Sequence, residues 1–166
     1  HRVDRRQRQM CIRDRIRTEP VSGAAVLLLR EADGRRHLAL WIADPEKTAI
    51  ADAINETEPV RPLTHDLLAR AIAVLCEEEP QCIITKVEDG IWFGELVLGD
   101  MRIDARPSDL VALALRLPVP IWCTEEVIST AGILLDAGPE DALEEFRHFL
   151  DDVSPDDFGP GPSTSG

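Results

Sequence analysis

The chain has 166 residues, 44% of them apolar, and a formal net charge of −13, which suits one globular domain with ragged ends. No apolar run approaches the roughly 18 uninterrupted residues of a membrane span, and the first twenty residues hold seven arginines but no apolar signal core, so neither a membrane protein nor a secreted one is expected. Those arginines hide how acidic the remainder is: beyond Pro20 there are 11 bases against 28 acids, a net of −17. Such a field repels polyanions, so contact with nucleic acid would need a local basic patch or bridging cations.

Residues 1–20 show no apolar periodicity and are expected to form a disordered arm without function; Met10-Cys-Ile-Arg-Asp-Arg15 reads like a translated sequencing adaptor. The domain proper is expected over 21–134. It opens with two strand-like runs, Ala24 to Leu29 and His37 to Ile42, joined through Asp33-Gly34, a pair that favours positive φ in a hairpin turn. Asp44-Pro45 then opens a helix through Ile54, with Asp44 as cap and Pro45 at the first position.

Thr64 starts a second helix running to about Glu78, stopped by Pro80, with Leu67, Leu68, Ala71, Ile72 and Leu75 on one face at helical spacing. A meander of three strands follows: Cys82 to Val87, Ile91 to Leu98 and Met101 to Asp104, with turns at Asp89-Gly90 and Gly99-Asp100. Pro107 opens a third helix with Asp109 in its first turn, where a carboxylate lies near unpaired amides. Val119 to Cys123 is a short strand, and Glu125 to about Thr130 a short helix. Ala142, Leu143, Phe146, Phe149, Leu150 and Val153 mark an acidic amphipathic helix in a C-terminal extension, 135–158, and Gly159 to Gly166 is a disordered tail by composition.

The two halves rhyme: Ile42-Ala-Asp-Pro45 and Ile103-Asp-Ala-Arg-Pro107 both lead from a hairpin into a helix. The expected fold class is therefore α+β, an antiparallel-dominated sheet built from two hairpin-plus-helix halves with helices packed on it. The cysteines, Cys11, Cys76, Cys82 and Cys123, contain no C-x-x-C pair, so they are expected to be reduced thiols in a cytoplasmic protein.

Leu38-Ala-Leu-Trp-Ile42, Arg61-Pro-Leu-Thr-His-Asp-Leu67, Ile103-Asp-Ala-Arg-Pro-Ser-Asp109, Val111-Ala-Leu-Ala-Leu-Arg116 and Glu125-Glu-Val127 stand in this order over about two-thirds of the chain. Together they resemble the signature blocks of the bifunctional nuclease domain family of bacteria and plants. Departures are mild: Ala39 and Leu40 stand where the family usually has Pro and Ile, Ala43 near a usual Gly, and Lys47 for Ala. The resemblance implies a compact α+β domain that forms homo-oligomers, homodimers being expected here, and a nuclease activity on RNA and DNA attributed to some plant members. It carries no agreed catalytic residues.

Phosphodiester hydrolysis needs an activated water and a stabilised leaving oxygen, commonly supplied by carboxylate-bound Mg²⁺ or Mn²⁺ or by a histidine base. His65 and Asp66 open one helix, and Asp104 and Asp109 flank the start of another. Should the two openings meet, one imidazole and three carboxylates would share a cleft, the three aspartates as metal ligands, with Arg61 and Arg106 on phosphate oxygens. Glu125 and Glu126 are further candidate ligands. Against this stands a plainer role for each residue: acids at helix starts cap them, Asp104 can pair with a neighbouring arginine, and arginines before proline can anchor loops. The alternative function is a non-catalytic binding or regulatory module acting through a protein or small ligand. The metal-assisted nuclease requires at least two of the aspartates to converge with His65 beside an arginine; acids that are dispersed and paired locally favour the module.

Overall fold

The computed structural model describes residues 7–18, 24–32 and 34–134, with side chains for 7–11, 24–32 and 34–134. The expected C-terminal helix and both outer termini lie outside them. In chain order the elements are β1 (Gln7–Thr18), β2 (Ala25–Glu31), β3 (Arg36–Ile42), α1 (Asp44–Ile54), α2 (Thr64–Leu75), β4 (Gln81–Glu88), β5 (Ile91–Leu98), β6 (Met101–Ala105), α3 (Pro107–Arg116), β7 (Ile121–Thr124), α4 (Glu125–Ala131) and β8 (Ile133–Leu134). The eight strands form one sheet in the order β6-β5-β4-β7-β1-β2-β3-β8. Every neighbouring pair is antiparallel except β4 with β7. The α+β class with helices on a mostly antiparallel sheet is thus as the alternation of hairpins and helices implies.

One expectation is corrected at the sheet's centre. Gln7–Thr18 is no disordered arm: it is β1, pairing with β7 from Gln7↔Thr124 to Met10↔Ile121 and with β2 from Met10↔Glu31 to Thr18↔Ala25. Without it the hairpin β2-β3 would be cut off from β7 and the β4-β5-β6 meander beyond it, so β1 joins the two halves. Gln7 to Met10 find backbone partners on β7, and Met10 to Ile12 and Ile16 to Thr18 on β2, which satisfies groups that burial would otherwise leave costly. Arg8 adds a two-pronged bond to Glu125, Nε at 2.8 Å and Nη2 at 3.2 Å.

Turn chemistry follows the glycines where φ is positive. Asp89 (φ 49°) and Gly90 (φ 76°) form the β4-β5 turn, and Gly99 (φ 57°) the β5-β6 turn, the left-handed positions that Gly and Asp tolerate best. At the β2-β3 turn the expected positive φ does not occur at Gly34; its N–H bonds Glu31 O at 3.4 Å instead.

Helix α3 lies at the centre of the packing. Pro107, Leu110, Val111, Ala112, Leu113 and Ala114 are all buried, and the helix touches β3, β4, β5 and β7 as well as α1 and α2. Gly94 on β5 lets it approach: a Cβ there would stand 2.5 Å from Leu110 Cδ1. Helix α2 ends at Leu75, three residues short of the expected Glu78, and its packing partner is α3 rather than the sheet. Only Ala69 and Ile72 are buried. Leu67 (64%), Leu68 (42%) and Leu75 (79%), on the apolar face, are exposed, because a helix held by one neighbouring helix covers only a narrow stripe.

Burial pushes the Cys82 and Cys123 thiols up to about 12, so both are inert packing groups. All four cysteines are free.

Candidate functional site

Two arginines, one at each end of α3, tie it to α1, and a residue of α2 joins each group. At the C-terminal end, Arg116 donates from Nε to Asp66 Oδ1 at 2.5 Å and from Nη1 to the carbonyls of Ala49 at 3.1 Å and Ala112 at 2.8 Å. Asp66 also accepts from the Leu63 N–H at 2.8 Å, capping α2. The Arg116 hydrogen bond, reinforced by the one from Leu63, holds the Asp66 carboxyl below its ordinary value. The guanidinium is largely covered, its side chain 10% exposed, and sits at the negative end of the helix dipole.

At the N-terminal end, Pro107 fixes the entry to α3 and leaves Arg106 extended before it (φ −73°, ψ 140°). Arg106 reaches over the first turn to Asp109, Nε to Oδ2 at 2.8 Å and Nη2 to Oδ1 at 3.1 Å, and its Nη1 lies 2.7 Å from Glu46 Oε1 on α1. His65 of α2 completes the group, with Nε2 3.1 Å from Asp109 Oδ1. Burial works to raise the Asp109 carboxyl, but the hydrogen bonds from Arg106 and His65 outweigh it and hold the group below its ordinary value. The Asp109 hydrogen bond raises Arg106 in turn.

Glu46 is the residue that sequence reasoning missed. It is buried, and its Oε2 has no hydrogen-bond partner among the described residues. A carboxylate oxygen left so is costly, and sites where it is tolerated are commonly sites of function. The signal open to the sequence was slight: a first-turn acid beside Pro45, where acids usually stabilise the helix from solvent.

The other expected residues do not join this group. Asp66, next to His65 in sequence, points to the opposite end of α3, because adjacent helical residues diverge by about 100°. Asp104 is exposed on the edge strand β6, facing Glu95 across the ladder. Glu125 is bound to Arg8, and Glu126 is exposed. Arg61 is exposed in the loop before α2, without an ion-pair partner among the described residues. Among those residues no three of His, Cys, Asp and Glu are grouped to hold a metal ion. So one aspartate of the three meets His65, beside an arginine, and the expected three-carboxylate cleft is not formed by these side-chain positions.

The sequence profile of the Bifunctional nuclease domain matches residues 27–136. The chain belongs to that family. Two uncharacterized proteins of Mycobacterium tuberculosis, MT1877 and Rv1829 from different strains, are each 43% identical to it over 153 residues, spanning 86% of this chain and 93% of theirs.

The bifunctional nuclease match covers both arginine knots, including Glu46, His65, Asp66, Arg106, Asp109 and Arg116, but begins after β1. The strand that closes the sheet in this chain thus precedes the matched block. No helix among the described residues is long and apolar enough to cross a membrane.

Proposed function

We propose that this bifunctional nuclease domain protein cleaves phosphodiester bonds of RNA or DNA by general acid–base chemistry centred on His65. The observation that carries it is the His65 Nε2 to Asp109 Oδ1 contact of 3.1 Å, with Arg106 gripping the same carboxylate. A carboxylate on one ring nitrogen orients the imidazole and favours a proton there. The other nitrogen, Nδ1, has no partner among the described residues and is free to take the proton of an attacking water or hydroxyl. Asp109 then stabilises the imidazolium, which returns the proton as the leaving oxygen departs.

Arg106 has all three of its nitrogens engaged by Asp109 and Glu46, so its role is to position Asp109. Arg61, exposed and unpaired, is the cation for phosphate oxygens. Mg²⁺ or Mn²⁺ remains the chemical alternative, but the expected ligands do not fit one ion: Asp66 is held by Arg116, Asp109 by Arg106, and Asp104 lies on the sheet edge. No step is therefore routed through a cation. The exposed apolar residues of α2 would serve as a subunit contact in a cytoplasmic homo-oligomer.

The test is cleavage of single-stranded RNA and DNA by the purified protein with and without chelator. Cleavage that survives chelator and is lost in His65→Gln supports the proposal; cleavage abolished by chelator returns the chemistry to a metal. A second reading, a non-catalytic binding module, is favoured by the local pairing of Asp66, Asp109 and Glu46 with arginines. No cleavage under any condition would establish it over the first.

A further inference from the structure

A cleft of about 310 Å³ opens beside the Arg116 knot, walled by the 57–62 loop, α2 and the end of α3. Its apolar surfaces are Pro59, Pro62 and Ala69, and its polar groups are Thr57, Glu58, Asp66, Arg70 and Arg116. The Asp66 carboxylate is already engaged. Three donors of the Arg116 fork are used, two on carbonyls and one on Asp66, while its Nη2 has no partner among the described residues. Arg70 is exposed and has neither hydrogen bond nor ion pair among them, and Glu58 likewise lacks a cation.

We propose that this cleft binds a nucleoside monophosphate. A guanidinium locked by three bonds presents its remaining amino group without losing further side-chain entropy, which is what makes a fork a good phosphate clamp. Arg70 supplies the second cation from α2. Glu58 is an acceptor for the N–H groups of a base edge, and two prolines offer rigid flat walls for a ring. The lining is electrically balanced, two arginines against two carboxylates, which suits a ligand with an anion at one end and N–H donors at the other better than a bare anion. The volume lies at the small end of the range for ligand pockets, right for one nucleotide rather than a strand. The chain's negative field does not forbid this, since charges beyond a Debye length of about 8 Å are screened at physiological salt.

The site is separate from the His65 group and does not rest on cleavage. The experiment is calorimetric titration of the full chain with AMP, CMP, GMP and UMP, and with inorganic phosphate and adenosine, at physiological salt. Arg70→Ala is the first variant, because an exposed unpaired side chain can be removed without unfolding the domain; Glu58→Gln is the second. Saturable binding of at least one nucleotide, weakened about tenfold or more by Arg70→Ala as expected for a lost charge-assisted bond, and altered in base preference by Glu58→Gln, is the expected result. Phosphate binding as tightly as every nucleotide would overturn the assignment, since the ring would then not be read. So would affinity unchanged in Arg70→Ala, or no saturation at concentrations on the order of millimolar. Because binding alone is read, a protein that proves unable to cleave leaves this result intact.

Discussion

The two ends of α3 are built alike and differ in what they leave unfinished. At each end an arginine links α3 to α1, and one of two consecutive residues of α2 completes the group, Asp66 on Arg116 itself and His65 on the carboxylate that Arg106 holds. At Arg116 the partners are Asp66 and two backbone carbonyls, so charge is matched within the knot and only Nη2 is left over, beside the cleft. At Arg106 the partners are Asp109 and Glu46, two carboxylates on one guanidinium that is 66% exposed, with His65 added and one Glu46 oxygen unmatched. A charge-matched, largely covered knot holds helices; an overcharged and partly open one holds a base ready. The comparison teaches that neighbouring acidic helix openings need not pool their carboxylates, because arginines can divide them between two places.

The strongest way to break this contrast is His65→Gln, which is expected to lower cleavage by about 10²- to 10⁴-fold, the range for a lost general base, with thermal stability little changed. Asp109→Asn should follow it in direction. Loss of cleavage in Asp104→Asn with His65→Gln still active would move the chemistry to the edge of the sheet and undo the assignment.

At the other knot the expected loss is stability. Arg116→Met leaves Asp66 without its cation in a half-buried place and should cost about 3 kcal/mol, read by urea denaturation. Replacing Asp66 by Asn in the same chain should restore part of that, since the uncompensated charge is then gone. If Arg116→Met is silent, the knot is not what fastens α2 to α3.

Much of this arrangement was legible in the chain's pattern, and the parts that were not have physical reasons. Helix α3 reads directly, since Pro107 and Asp109 open it and apolar residues fill its length. Helix α2 and the face its leucines share are legible too, but periodicity reports which residues share a face and not whether anything covers that face. Strand β1 was missed although Met10, Ile12 and Ile16 stand at alternating-register positions with arginines at 13, 15 and 17; the arginines suppressed a period of two that was there. The divergence of His65 from Asp66 follows from helix geometry alone. That Asp109 rather than Asp66 would meet the imidazole could not be read, since it depends on how α2 crosses α3. Glu46 was invisible for the same reason: its burial comes from a tertiary contact with Arg106.

Between the two knots, α3 is held at its middle by packing. Gly94→Ala would place a methyl 2.5 Å from Leu110 Cδ1 and close to the Ile83 and Ala105 carbonyls at 3.1 and 3.2 Å, so α3 or β5 must shift. A destabilisation of about 1–3 kcal/mol is expected, as for overpacked cores. If cleavage also falls in the folded variant, the spacing of α3 from the sheet matters to the His65 group; if only stability falls, the two knots keep their geometry independently.

The smallest effect separates the knots by pH. Asp66 is held below its ordinary value of 3.8, first by the Arg116 bond, so the folded state binds its proton less readily than the unfolded chain does. The linked stability is fully present above that ordinary value and is lost as pH falls from it toward the lower folded pKa. Denaturation midpoints should therefore decline below about pH 4, and Asp66→Asn should flatten part of that decline. Asp109 is lowered as well, against a larger opposing effect of burial, so Asp109→Asn should flatten it too. A decline unchanged by Asp66→Asn but removed by Asp109→Asn would place the acid-sensitive fastening at the Arg106 end, reversing the division between a holding knot and a chemical one.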